Sequence, residues 1–209
     1  MKKVLFCGCS FVYGIGLPLH KQDPDLFCNI LSATNKNLIG KEQINISVGG
    51  NSNESIFIDS AREILTGEYE YVFVCWTSYP RYIFYTTAST DIEQVLPINP
   101  WASNRVYSNE FRDRLLTLNH ASINNRNLLV FANTLLAIAK SNNTKVFFIN
   151  MFLPYGAIDA TSMSAYPWLN TTTFLQSRID LGNDGAHPGP LTHQLFAQVL
   201  TNKLNEYIA

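Results

Sequence analysis

Three apolar runs constrain this chain more than any other feature: "KVLFCG" at 3–8, "YEYVFVCW" at 69–76 and "KVFFINMF" at 145–152. A strand with one wet face alternates apolar and polar residues, so runs this continuous require cover on both faces. A fourth run, "EQINISV" at 42–48, alternates less cleanly and ends in Gly49-Gly50. The segments between the runs have helical patterning. In "HKQDPDLFCNILSAT" Asp23 is expected to cap a helix with Pro24 at its first position and Leu26, Phe27, Ile30 and Leu31 facing inward. Ile56, Ala61, Ile64 and Leu65 predict a helix over about 52–65.

A long helical region is expected over about 109–140, broken near "NHASINN", with Leu128, Leu129, Ala132, Leu135, Leu136 and Ala139 on one stripe. Pro190 can open a last helix whose Leu195, Phe196, Val199, Leu200 and Leu204 are expected to face inward. Strands and helices thus alternate, which predicts an α/β fold with a mostly parallel sheet covered by helices. The 209 residues suit one domain, 1–209, which buries roughly 70% of its unfolded surface. No repeat, linker or charge block divides it.

Long irregular regions are expected at about 77–108 and 153–181. From the end of the preceding strand into the first of these, the chain is rich in aromatic residues: Trp76, Tyr79, Tyr82, Phe84, Tyr85, Trp101 and Tyr107. Such rings can form a substrate wall, a self-packed loop or an oligomer contact.

In a parallel sheet, ligands gather at the carboxyl ends of the strands. Four loops begin there or close upon it: "GCSFVYG", "VGGNSN", "WTSYPR" and "DGAHPG". Acyl transfer through a serine needs a base, an acid that holds the base, and donors aimed at the developing oxyanion. Ser10 offers the hydroxyl, His187 the imidazole, and Asp184, three residues earlier, a carboxylate to fix the tautomer. Gly50 offers an N–H with no side chain to crowd a substrate.

Gly8-Cys9-Ser10-Phe11, with Gly14 and Gly16 beyond, resembles the first block of the SGNH (GDSL-type) hydrolases. "NISVGGNS" at 45–52 is similar to their second block, "FVCWTSY" at 73–79 falls where the third is expected, and "DGAHPG" resembles the last. The resemblance implies a three-layer α/β/α sandwich, flavodoxin-like, that hydrolyses esters or thioesters through an acyl-enzyme. It implies Ser10 as nucleophile, His187 as base and Asp184 as orienting acid, with the Ser10 and Gly50 N–H groups and Ser78 at the oxyanion hole. Asn51, Trp76, Tyr79 and Arg81 are candidate substrate contacts, Asn51 and Arg81 also as substitute oxyanion donors. This chain departs from the family pattern at Cys9, where Asp is usual, at Ser47, where Gly is frequent, and at Ser78, where Asn is usual.

The family acts on lipids, small esters and acetylated sugars, and the polar, aromatic loops favour deacetylation of a carbohydrate. The contrasting expectation is a catalytically inactive relative that binds glycans or serves a structural role. Transfer of the acyl group to an acceptor other than water is a third.

Fifteen basic and sixteen acidic residues give a net charge of −1, with no basic run to attract nucleic acid or an anionic membrane. No stretch reaches the length of a bilayer span, and the apolar start breaks at Gly8, too early for an export signal. Cys7, Cys9, Cys28 and Cys75 lack metal or redox spacing, and Cys7 and Cys9 are expected to share one strand face. Free thiols and a cytoplasmic location are the expectation. His20, His120 and His193 have no metal-like company, so no cofactor is expected, and His193 is expected to face solvent or a neighbouring loop. Oligomeric state is left open by the sequence.

Overall fold

The computed structural model describes residues 2–77, 82–85, 95–98, 121–151, 166–169 and 173–208. Four parallel strands form the central sheet: β1 (Lys3–Cys7), β2 (Gln43–Asn45), β3 (Tyr69–Trp76) and β6 (Lys145–Asn150), in the order β2-β1-β3-β6. Among the described residues five α-helices accompany them: α1 (Ser10–Tyr13), α2 (Phe27–Thr34), α3 (Asn53–Leu65), α4 (Ala121–Ser141) and α5 (Pro190–Ile208). Two further strands, β4 (Tyr82–Tyr85) and β5 (Val95–Ile98), pair antiparallel as a separate sheet inside the region expected to be irregular.

The unbroken apolar runs are explained by what covers each face. Val4 and Phe6, Tyr71, Phe73 and Cys75, and Phe147 and Ile149 face a core shared with α2 and α5. Leu5 and Cys7, Val72, Val74 and Trp76, and Val146 and Phe148 face a second core shared with α3 and α4. Alternate residues of one strand thus enter different cores, and neither face is left for polar residues. The result is the three-layer α/β/α sandwich. Phe6 stacks on Phe73 with ring centroids 4.7 Å apart and planes 10° from parallel, tying β1 to β3 in the first core.

Three sequence expectations need correction. Asp23 does not cap α2: its carboxylate accepts from the N–H groups of Leu19 (3.1 Å) and Asp25 (3.0 Å), so residues 23–26 form a turn and the helix starts at Phe27. Cys7 and Cys9 do not share a face, because β1 ends at Cys7 and Cys9 turns into the opposite core as the residue preceding α1. On α5 the inner face is Phe196, Leu200 and Leu204, whereas Leu195 and Val199 are exposed. The described cysteines are all buried free thiols, and burial pushes Cys7 up to about 12. Among the described residues no helix is long and apolar enough to cross a membrane.

Candidate active site

All four central strands run parallel, so their carboxyl ends lie along one edge of the sheet. Ser10 follows β1 as the first residue of α1 and is buried. Its N–H has no partner among the described residues, as is usual for the first turn of a helix. The loop after β2 runs beside the same end, since Val48 N–H donates to the Gly8 carbonyl at 3.2 Å. There Gly50 has φ of 81°, a left-handed conformation in which a side chain is strained.

Asp184 and His187 arrive on a narrow hairpin. Gly182 N–H donates to the His187 carbonyl at 2.8 Å, and Gly189 N–H to the Asp180 carbonyl at 3.2 Å. Asp184 works at both carboxylate oxygens. Oδ1 accepts from the N–H groups of Ala186 and His187, both at 3.0 Å, closing the turn. Oδ2 meets His187 Nδ1 at 2.6 Å, which fixes the imidazole orientation and sets the proton on Nδ1. The His187 N–H foremost, then the Ala186 N–H and the imidazole, overcome partial burial and pull the Asp184 carboxyl down to about 2. Asp184 is therefore an anion at neutral pH, as support of an imidazolium requires.

The hairpin docks on the Ser10 loop. Asn183 N–H donates to the Gly16 carbonyl at 2.8 Å, and the His187 ring meets Phe11 edge-on at 5.5 Å between centroids. Gly16 has φ of 98°, and a Cβ there would stand 2.9 Å from His187 Cβ. Ser10 and the Asp184–His187 pair are thus carried by segments in direct contact. Among the described residues neither Ser10 Oγ nor His187 Nε2 has a hydrogen-bond partner, so the hydroxyl–imidazole link is not made in this state. Catalytic hydrogen bonds are often long before substrate binds.

Ser78, Tyr79, Arg81, Trp101, Tyr107 and His120 lie outside the described residues. Thr77, just before Ser78, is held by Asn53 in both directions: its N–H donates to Asn53 Oδ1 at 2.7 Å and its carbonyl accepts from Nδ2 at 3.0 Å. Trp76 does not join a solvent-facing wall. It is buried at the end of β3 in the second core, stacked near Phe148 at 5.9 Å. Asn51 is also buried, with its Nδ2 3.5 Å from the Gly8 carbonyl. That amide is engaged with the Gly8 loop rather than pointing freely at a substrate.

His193 does not face solvent. It is buried against Phe27 and Phe174, and its Nδ1 accepts from Phe27 N–H at 3.4 Å. The sequence reading also missed Asn53 and Asp180 as supports of the site, because their partners are distant backbone groups that leave no local pattern. No group of three or more His, Cys, Asp or Glu able to hold a metal ion occurs among the described residues.

No family model matches the chain, and no curated protein is similar to it in sequence. Solved structures are similar in fold. A putative lipolytic protein of the G-D-S-L family from Desulfitobacterium hafniense aligns with a TM-score of 0.53 at 11% identity, over 97% of this chain and 99% of that one. The psychrotrophic esterase EstA from Pseudoalteromonas sp. aligns with a TM-score of 0.58 at 10% identity, over 100% and 99%. Axe2, an acetylxylan esterase from Geobacillus stearothermophilus, aligns with a TM-score of 0.56 at 11% identity, over 97% and 93%. At these identities the likeness is one of fold alone: across nearly its whole length, this chain has the fold seen in these lipolytic and esterase structures.

Proposed function

We propose that the chain is a serine-dependent hydrolase of acyl esters. Ser10 Oγ attacks the ester carbonyl carbon while His187 Nε2 takes its proton, and Asp184 stabilises the imidazolium through Nδ1. The Ser10 and Gly50 N–H groups, with the Ser78 hydroxyl, receive the oxyanion. His187 then protonates the departing alcohol. Water adds to the acyl-Ser10 ester with His187 again as base, releasing the carboxylic acid and restoring the serine.

The observation that carries this reading is the 2.6 Å Asp184–His187 contact on a hairpin that docks against the Ser10 loop. Acetylated carbohydrate is the substrate class it favours, supported by the aromatic composition of 76–107 and by the likeness to an acetylxylan esterase. The unmade Ser10–His187 hydrogen bond favours one rival, an inactive glycan-binding or structural relative.

Fluorophosphonate labelling, read by intact mass and peptide mapping, separates the two. A single adduct on Ser10, lost in Ser10→Ala, is expected, together with turnover of an acetyl ester. Folded protein that takes up no probe and turns over no acetyl ester would overturn the hydrolase reading.

A further inference from the structure

Strand β6 ends the row of four parallel strands, in the order β2-β1-β3-β6. Its odd-numbered residues turn their backbone groups to β3, a pattern that continues past the strand where Met151 N–H donates to the Trp76 carbonyl at 3.1 Å. Even-numbered residues turn theirs to the open side, because the direction alternates along a strand. The chain itself serves two of them. Phe148 N–H donates to the Pro167 carbonyl at 3.0 Å, and the Phe148 carbonyl accepts from Leu169 N–H at 2.9 Å. The Asn150 carbonyl accepts from Phe174 N–H at 3.3 Å. Val146 is left: among the described residues neither its N–H nor its carbonyl has a partner.

A proline explains the gap. In the parallel register that sets Trp168 beside Phe148, the residue due to donate to the Val146 carbonyl is Pro167, which has no N–H. Trp168 N–H donates to the Tyr166 carbonyl at 2.8 Å, a three-residue turn over Pro167 that ends the pairing. Beside Val146 lies a cleft of about 370 Å³, walled by Leu136 and Ala139 of α4, by Phe147 and by Tyr207 of α5. Lys140, in the last turn of α4, and Lys145, the first residue of β6, line it as well and are exposed. Neither has a carboxylate partner among the described residues.

These features together narrow the ligand. A donor and an acceptor on one residue match the C=O and N–H of a single residue in an antiparallel strand, where the two exchange both bonds. A plain aliphatic acid answers the N–H but offers nothing to the carbonyl. The apolar walls suit an aliphatic side chain. An antiparallel ligand runs its carboxyl end toward Lys145 at the start of β6, where two unpaired ammonium groups complement a carboxylate. An opening one residue long suits a chain end rather than another sheet edge, which the lysines also discourage.

We propose that the open edge of β6 binds the carboxyl terminus of a peptide, extended and antiparallel, through the main chain of Val146, the apolar cleft, and Lys140 and Lys145. The inference stands whether or not Ser10 cleaves esters.

The test uses acetyl-Ala-Val-Leu with a free carboxylate, titrated into the full, isotopically labelled chain and followed by calorimetry and amide NMR. A ligand of this size is expected to bind with a Kd of about 10–100 μM and to move the Val146 amide resonance downfield. A carboxamide in place of the carboxylate should weaken binding by about 10-fold or more, and so should Lys140→Gln combined with Lys145→Gln, at an unchanged thermal midpoint. Ser10→Ala should bind the peptide as the parent does. No binding at about 1 mM peptide overturns the proposal. So does a shift confined to the Ser10 loop with Val146 unmoved, or equal affinity for the carboxamide or in the double variant. Octanoate that binds as tightly as the peptide also overturns it, because the cleft then reads an alkyl carboxylate and not a main chain.

Discussion

At Gly16 two constraints meet that only glycine satisfies. The backbone is left-handed, and the space a Cβ would fill is taken by His187 at 2.9 Å, with Asp184 Oδ1 at 3.4 Å. Gly40 makes a matched control: its φ is +80°, but nothing lies within 4 Å of a Cβ built there. Gly16→Ala and Gly40→Ala should each lose about 1–2 kcal/mol in chemical denaturation from the forced left-handed alanine. Only Gly16→Ala should also displace His187, and its fluorophosphonate labelling should fall by at least 10-fold while Gly40→Ala labels like the parent. Equal labelling of the two would mean that the Gly16–His187 contact has no bearing on Ser10 reactivity. At this scale the sequence was informative where chemistry restricts residue type. Ser10, Asp184 and His187 stand out in the sequence because few residue types suit the nucleophile, orienting acid and base proposed for them. Asn53 does not, since its value lies in reaching the backbone of Thr77, 24 residues away.

The hairpin over 180–189 is the element that brings Asp184 and His187 against the Ser10 loop, and its anchorage rests on Asp180. Burial opposes charge on that carboxylate, but the Thr192 hydroxyl, the Thr192 N–H and the Leu191 N–H outweigh it and hold the carboxyl below the ordinary range. Asp180 therefore caps α5 from ten residues upstream, accepting from Leu191 N–H at 3.0 Å and Thr192 N–H at 2.8 Å. Asp180→Ala removes both acceptors and should cost about 1–2 kcal/mol of stability. It should also free the base of the hairpin, so labelling of Ser10 should slow even at temperatures where the variant is fully folded. Asp180→Asn keeps one amide oxygen as acceptor and should recover part of both losses. If Asp180→Ala destabilises the protein yet labels at the parental rate, Asp180 serves the helix alone. Element boundaries were the less legible part of the sequence. The start of α2 shifted because the Asp23 side chain closed a local turn instead of capping the helix, a choice that spacing does not reveal. Leu195 and Val199 read as inward because periodicity reports an apolar stripe without saying which of two stripes meets the core.

For the molecule as a whole, strand continuity told the most. Runs without polar alternation require a sheet covered twice, and a sheet covered by helices favours parallel strands whose loops gather at one edge. Four distant loops could therefore be assigned to one site before any contact was known. The sequence did not disclose what ties α5 to its neighbour α2 on one face of the sheet. His193 sits there, fully buried, its Nδ1 accepting from Phe27 N–H at the start of α2 and its ring 4.9 Å from that of Phe174. With Nδ1 an acceptor, the proton rides on Nε2, and the ring is neutral. Burial drives its pKa down to about 4, against weaker opposing pulls from Asp180, Asp23 and Asp25. A base whose pKa is depressed on folding binds its proton more readily in the unfolded chain. Stability from the neutral ring is thus complete above about pH 6.5 and lost as pH falls towards 4. Over that window the loss should reach about 3 kcal/mol, a large share of the margin of an ordinary domain. The Asp184 contribution lies lower, vanishing only as pH falls from the ordinary carboxylate range through about 2, so the two are separable. His193→Gln retains an oxygen to accept from Phe27 N–H and carries no titrating group. Urea denaturation at half-unit steps from pH 7.5 to 4 should show parental stability falling below pH 6.5, while the His193→Gln curve stays flatter by most of that difference. Parallel curves would assign the acid sensitivity to carboxylates and remove His193 as the point where protonation undoes the α2–α5 contact.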